Sequence, residues 1–191
     1  MFDPLPDGGV VRKLWPHEAD DYAAHLLRLD KDSRRRRFSG AVSDELIRRH
    51  AAKARGLGVV VFGFFVNGVM RGSAELRRDL SPLSRNGEAA FAIERDWQSH
   101  GVGSALLQRA LLTARNRGIK LLKMYCLADN ERMQQLARKF DAELKFDFGS
   151  VVGEVDPPRS TWLSLTREAL ADQHGLMATL LEKQRNLFRQ G

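Results

Sequence analysis

The chain has 191 residues, 43% hydrophobic and 29% charged, with one cysteine and a formal net charge of +7. That composition excludes a disordered or collagen-like chain, the length allows one domain with an appendage, and the lone Cys126 excludes an internal disulfide framework and any multi-cysteine metal site. The positive excess favours anionic partners, without choosing between a nucleotide-like cofactor, a nucleic acid and an acidic surface.

The opening MFDPLPDGG lacks the basic-then-apolar pattern of a secretory leader. The longest apolar run, VVVFGFFV at 59–66, is too short to span a bilayer. The chain therefore reads as cytoplasmic, with no membrane partner. GVVRKLW at 9–15 reads as a short strand. Pro16 suits the start of a helix, and Tyr22, Ala23, Leu26 and Leu27 follow at helical spacing. KDSRRRRFSG reads as a polar break. Its run Arg34–Arg37 carries no interleaved aromatics, so a solvated helix face or turn comes first, an anionic ligand or partner second and nucleic acid last. Ser43 is placed to cap a second helix over 43–54, ended by Gly56 and Gly58.

Two β-rich runs, 58–66 and 69–77, flank Asn67-Gly68, a two-residue hairpin signal. A loop over SPLSRNGE leads to a strand at 88–94. A helix over 101–117 ends at Gly118, a buried strand follows at 119–127, and Asn130 opens a helix to about 140. AELKFDFGSVVGEV supplies one or two further strands before Asp156-Pro-Pro. The order β-α-α-β-β-β-α-β-α-β predicts an α/β fold of the α+β type. Its sheet is mixed and mostly antiparallel, with one parallel pair made by the strand–helix–strand unit at 88–127. Residues 1–158 form the domain. Residues 159–191 form a helical extension, with Leu163, Leu170, Met177, Leu180, Leu181, Leu187 and Phe188 at helical spacing. It either packs across its own domain or pairs with a second copy to make a homodimer.

The stretch Gln98-Ser-His-Gly101-Val-Gly103 places two glycines at a strand-to-helix junction. Glycine lets the backbone turn sharply and approach a ligand. The first helical turn leaves N–H groups unpaired, and the helix dipole adds positive potential. Together these make a phosphate site, with the amides of Val102, Gly103, Ser104 and Ala105 as donors. The nucleotide P-loop fails because Ser-Ala, not Lys-Ser/Thr, follows Gly103. The dinucleotide fingerprint fails because Leu106 stands where its third glycine belongs.

With its context, AIERDWQSHGVGSALLQRAL resembles the coenzyme A-binding signature of the Gcn5-related N-acetyltransferases (GNAT). The resemblance extends over most of residues 10–155 through the order of elements, and LADNERMQQLARKF is similar to the family's later Asn-opened helix. A weaker likeness of RLDKDSRRRRFSG to bacterial protein lysine acetyltransferases leans toward a protein acceptor. The resemblance implies that acetyl-CoA is the cofactor, with its pyrophosphate on the bend, which includes Gln98 and Gly101. It implies that Phe91, Ala92 and Ile93 lie along the pantetheine, that the strands at 88–94 and 119–127 splay apart, and that Asn130 contacts the cofactor. Arg138 and Lys139 face its adenosine phosphates or, equally, solvent.

Transfer of an acetyl group to an amine needs a base for the amine proton. Alternation puts Glu88, Ala90, Ala92 and Glu94 on one strand face. Glu88 is the first choice of base, on geometry and on the resemblance, and Glu75 on the neighbouring strand is the second. The family's tyrosine acid is replaced by Ala137, and Tyr125 on the preceding strand does not take its place. The expected function is N-acetylation of a primary amine, on a protein lysine or N-terminus or on a small molecule. The alternative is a non-catalytic acyl-CoA sensor. The five histidines show no metal-binding spacing, so no metal site is expected.

Overall fold

The computed structural model describes residues 5–157, 161, 163–173, 175 and 177, with Arg55 described by its backbone only. Seven strands form one sheet in the order β1-β2-β3-β4-β5-β7-β6. They are β1 (Val10–Lys13), β2 (Val59–Val66), β3 (Val69–Arg78), β4 (Asn86–Ile93), β5 (Leu121–Leu127), β6 (Glu143–Asp147) and β7 (Ser150–Val155). The helices are α1 (Ala19–Arg28), α2 (Lys31–Phe38), α3 (Asp44–Ala52), α4 (Val102–Asn116) and α5 (Glu131–Lys139). All neighbouring strands are antiparallel except β4 and β5, as the order of elements predicts.

Local chemistry sets most of these boundaries. Asn67 and Gly68 sit at φ 50° and 76°, the two left-handed positions of a type I′ hairpin turn, whose twist matches the strands it joins. Ser43 caps α3 by accepting from the Leu46 amide. Asn130 caps α5 by accepting from the Met133 amide, which satisfies one of the donors left free at a helix start. Gly118, at φ 71°, closes the chain after α4.

The run at 31–38 is a helix rather than a polar break. It has no apolar stripe, so hydrophobic periodicity cannot reveal it. The Asp30 side chain caps it, accepting from the Asp32 and Ser33 amides at 3.1 Å each. Arg36 pairs with Asp32 one turn back at 3.2 Å. Ser39 ends it in the left-handed conformation, φ 56°.

The sheet has an apolar core on each face. On one face Phe62, Phe64, Leu76 and Leu122 meet Leu106, Leu107 and Ala110 of α4 and Ala137 of α5. On the other, Val61, Phe65 and Met70 meet Tyr22, Leu26 and Ile47 of α1 and α3. Each large side chain removed from water in this way contributes roughly 1.5–3 kcal/mol.

Beyond β7, residues 163–173 are helical. Ser164, Glu168 and Asp172, four residues apart, turn to α4 and bond to Asn116, Thr113 and Arg109. The apolar positions are not the packed ones: Leu163, Leu170 and Met177 are 51%, 55% and 59% exposed. The expected stripe therefore lies opposite the α4 contact, because hydrogen bonds rather than apolar burial hold this segment. Leu180, Leu181, Leu187 and Phe188 lie outside the described residues.

Candidate active site

The parallel pair β4–β5 is hydrogen-bonded over three positions only, Asn86↔Leu121, Gly87↔Leu122 and Glu88↔Lys123. Beyond Glu88 both strands continue, each held by its other neighbour. They part, and the β5-facing edge of β4 from Ala89 to Ile93 has no strand partner. A cleft of about 420 Å³ opens over this fork between α2 and α5. Phe91, Ala92 and Ile93 line its floor, and Gly101, Gly103 and Ser104 line one end.

At that end Ser99 and Gly101 take left-handed φ of 64° and 79°. They swing the backbone into α4, and no side chain caps the helix. The Ala105 amide is not a free donor, because it closes the first helical bond to the Gly101 carbonyl at 3.1 Å. The uncapped amides are those of Val102, Gly103 and Ser104, the ones an α-helix leaves unpaired. The two glycines also differ in role. A Cβ on Gly101 would meet open space, whereas one on Gly103 would press on Leu136 at 3.3 Å and Ile93 at 3.5 Å. Gly103 thus serves close packing of α4 on α5 and β4.

The Gln98 side chain braces the bend. It donates to the Ile93 carbonyl at 2.8 Å and to the Ser33 hydroxyl at 3.3 Å, and accepts from Arg132. Asn130 lines the cleft while its Oδ1 caps α5, and no described residue accepts from its Nδ2. Arg95, Arg132 and Lys139 add positive charge around the bend, with Lys139 Nζ 3.2 Å from the Ser104 hydroxyl. Arg138 is exposed and does not line the cleft.

The two candidate bases have opposite surroundings. Glu75 is 2% exposed. It accepts from the Tyr22 hydroxyl at 2.7 Å, Arg37 at 2.9 Å and Arg77, and lies 2.7 Å from His50 Nε2. Burial alone would push its carboxyl pKa up, but the His50 hydrogen bond and the Arg37 charge outweigh it and hold the value at about 2. A carboxylate so held is a weaker proton acceptor than a free one, and its bond to Arg37 ties α2 to β3. Glu88 is exposed, stands at the last paired position before the fork, and accepts no hydrogen bond from a described residue.

The arginine run is not a solvated face. Arg35 reaches Asp129 beyond β5, Arg36 and Arg37 line the cleft, and Arg37 is buried against Glu75. Sequence periodicity misses this wall of the site. The available signal is Asp30, a good N-cap, ahead of eight residues without Gly or Pro.

A split parallel strand pair, leading to an uncapped helix start ringed by cations, defines a class of domain that takes an extended ligand with a phosphate group at one end. The sequence model of the acetyltransferase (GNAT) family matches residues 24–142, and the chain belongs to that family. Solved structures of the same fold include the GNAT domain of PAT from S. lividans, at 23% identity and TM-score 0.69, covering 81% of this chain and 94% of that one. The yncA protein of Salmonella typhimurium, a putative acetyltransferase solved with acetyl-CoA, matches at 16% identity and TM-score 0.59, covering 80% and 96%. The PaiA N-acetyltransferase of Thermoplasma acidophilum, solved with coenzyme A, matches at 16% identity and TM-score 0.57, covering 78% and 98%. Among the described residues no helix is long and apolar enough to cross a membrane, and no group of three or more His, Cys, Asp or Glu side chains forms a metal site.

Proposed function

We propose that the protein is an acetyl-CoA-dependent N-acetyltransferase acting on a primary amine, with Glu88 as general base. The observation that carries this reading is the fork at Glu88 opening into a cleft that ends on uncapped amides. The residues present fit the cosubstrate. The amides of Val102, Gly103 and Ser104, with the helix dipole behind them, suit a diphosphate, and Lys139 and Arg132 add fixed cations beside it. The open edge of β4 at Phe91–Ile93 offers main-chain groups to an amide-bearing arm, and Asn130 Nδ2 is a further donor. Gln98 and Ala105 serve indirectly, as the brace of the bend and the first closed turn of α4.

Acetyl-CoA supplies an acyl thioester, a carbon already activated toward amines. The chain must hold it and take a proton from the acceptor's ammonium, so that the free amine attacks the thioester carbon and the C–S bond breaks, the departing coenzyme A thiolate taking its proton from water. Glu88 is suited to the second task because its carboxylate is exposed at the fork and is not committed to a partner, unlike Glu75. A proton accepted directly or through one water would satisfy the geometric demand on a base. The expected outcome for Glu88→Gln is a fall in kcat of at least tenfold with the acetyl-CoA Kd unchanged, read by thiol release and calorimetry. Full retained turnover removes the assignment.

One observation favours a second reading, a coenzyme-binding module without turnover. Ala137 stands where many relatives carry tyrosine, and it is buried, with Gly153 packed against its Cβ. Both tyrosines of the chain lie elsewhere: Tyr22 is bound to Glu75, and Tyr125 stands half-exposed on β5. Tight acetyl-CoA binding without thiol release across an amine panel would select this reading. Nucleic acid, and pairing with a second copy through residues 159–191, remain weaker proposals resting on charge and on the exposed apolar positions.

A further inference from the structure

Three connections meet at the end of the sheet away from the bend: 53–58 leading into β2, 78–86 joining β3 to β4, and 117–120 joining α4 to β5. Backbone hydrogen bonds tie them in a row. The Arg78 amide donates to the Gly58 carbonyl at 2.8 Å, the Asp79 amide to the Asn86 carbonyl at 3.0 Å and the Lys120 amide to the Arg85 carbonyl at 2.7 Å. Leu80 leans on Gly58, where an added Cβ would stand 2.8 Å from the leucine Cδ2. The three connections therefore form one continuous surface.

This surface is apolar where it protrudes. Leu57, Leu80 and Leu83 are 89%, 63% and 96% exposed. A single exposed leucine is ordinary, but three on adjoining turns mark a contact surface. Cations surround them. Lys53, Arg78, Arg85 and Lys120 are all exposed, and none forms an ion pair with a described residue. The three stretches KARGLG, RDLSPLSRN and RGIK contain a single acid, Asp79. Its carboxylate is engaged by its own loop, accepting from the Ser81 amide at 3.0 Å and the Ser81 hydroxyl at 2.8 Å.

Charge and shape together select the partner. The free cations call for anionic groups. The leucines stand out on turns, and such tips suit a soft interface into which they sink while the cations meet headgroup phosphates. A folded partner would instead have to supply a matching pocket for each leucine. We infer that this end of the sheet is a membrane-contact surface, on which Lys53, Arg78, Arg85 and Lys120 bind anionic lipid headgroups and Leu57, Leu80 and Leu83 enter the edge of the acyl layer. The sequence expectation of no membrane partner rests on the lack of a spanning segment, and a contact of this kind needs none. The length of β4 separates the surface from the bend by roughly 20–25 Å, so lipid contact leaves the phosphate end of the cleft open. The inference is independent of the acetyltransferase reading.

The test sediments the full chain with vesicles of phosphatidylcholine alone and with vesicles in which about a third of the lipid is phosphatidylglycerol, each at low and at high salt. The anionic vesicles should carry the protein down and the neutral ones should not, with the bound fraction falling as salt rises. Leu57→Ser combined with Leu83→Ser should weaken binding to the anionic vesicles about tenfold, as should Arg78→Gln combined with Arg85→Gln. Both leucines are almost wholly in water, so thermal unfolding should be unchanged and lost binding is not lost fold. Absence of binding to the anionic vesicles, or binding that survives both pairs of substitutions, overturns the inference. So does loss of binding with the arginine pair alone, which is adsorption by charge without insertion. Retention on immobilised polyglutamate with no binding to vesicles would overturn it in favour of an acidic protein partner.

Discussion

Glu75 and Glu88 lie on adjacent strands of one sheet face, and their chemistry diverges because of what surrounds each carboxylate. Glu75 meets donors from α1, α2, α3 and β3, so its charge is a structural part held at a pKa of about 2. A depressed carboxyl pKa contributes stability that is fully present above the unfolded value. The contribution fades as pH falls toward the folded one, here between roughly 4.5 and 2, and over that window is worth about 3 kcal/mol. Glu75→Gln also leaves Arg37 buried without its counter-charge, a change that costs about 3–5 kcal/mol. Urea unfolding of the variant at pH 7 should show that loss, and its stability should fall less steeply than wild type as pH drops through the window. A variant as stable as wild type at pH 7 would mean that Glu75 does not anchor α2. Alternation groups Glu88 with Ala90, Ala92 and Glu94 on one strand face from sequence alone, but it carries no information on which glutamate would be smothered by partners from distant elements.

At the scale of elements, the strands, the hairpin at Asn67-Gly68, the capped starts of α3 and α5 and the bend before α4 are all legible in the sequence. Each is written in local chemistry: a turn pair, an N-cap, a glycine at a required left-handed φ. What is not legible depends on pairing across long separations. α2 is held by Asp30, Asp129 and Glu75 instead of by an apolar stripe, so its sequence resembles a loop. Over residues 163–173 the contact with α4 is likewise made by Ser164, Glu168 and Asp172 and not by an apolar stripe. The bend is the sharpest element-scale test, since Gly101 holds φ 79° with open space where a Cβ would stand. Gly101→Ala therefore introduces no clash, only the cost of the left-handed conformation, about 1–2 kcal/mol. Thermal unfolding should register a loss of that size. Acetyl-CoA affinity should fall several-fold as the first turn of α4 relaxes, and unchanged affinity would disconnect the bend from binding.

For the molecule as a whole, the seven-stranded sheet does two jobs. Its apolar faces carry the two cores, and its one parallel joint, bonded over three residues and then open, makes the cleft. The positive charge of the chain is not spread evenly around this opening. Arg95, Arg132 and Lys139 gather at the bend, and Arg36 and Arg37 of α2 line the cleft as well. Under the proposed function the bend takes the phosphates and the Glu88 end of the fork takes the amine. The most direct test is a crystal structure of the protein with coenzyme A. It should show diphosphate oxygens about 3 Å from the amide nitrogens of Val102, Gly103 and Ser104, with the pantetheine arm running along Phe91–Ile93 toward Glu88. A diphosphate bound elsewhere, with those three amides facing water, would contradict the account.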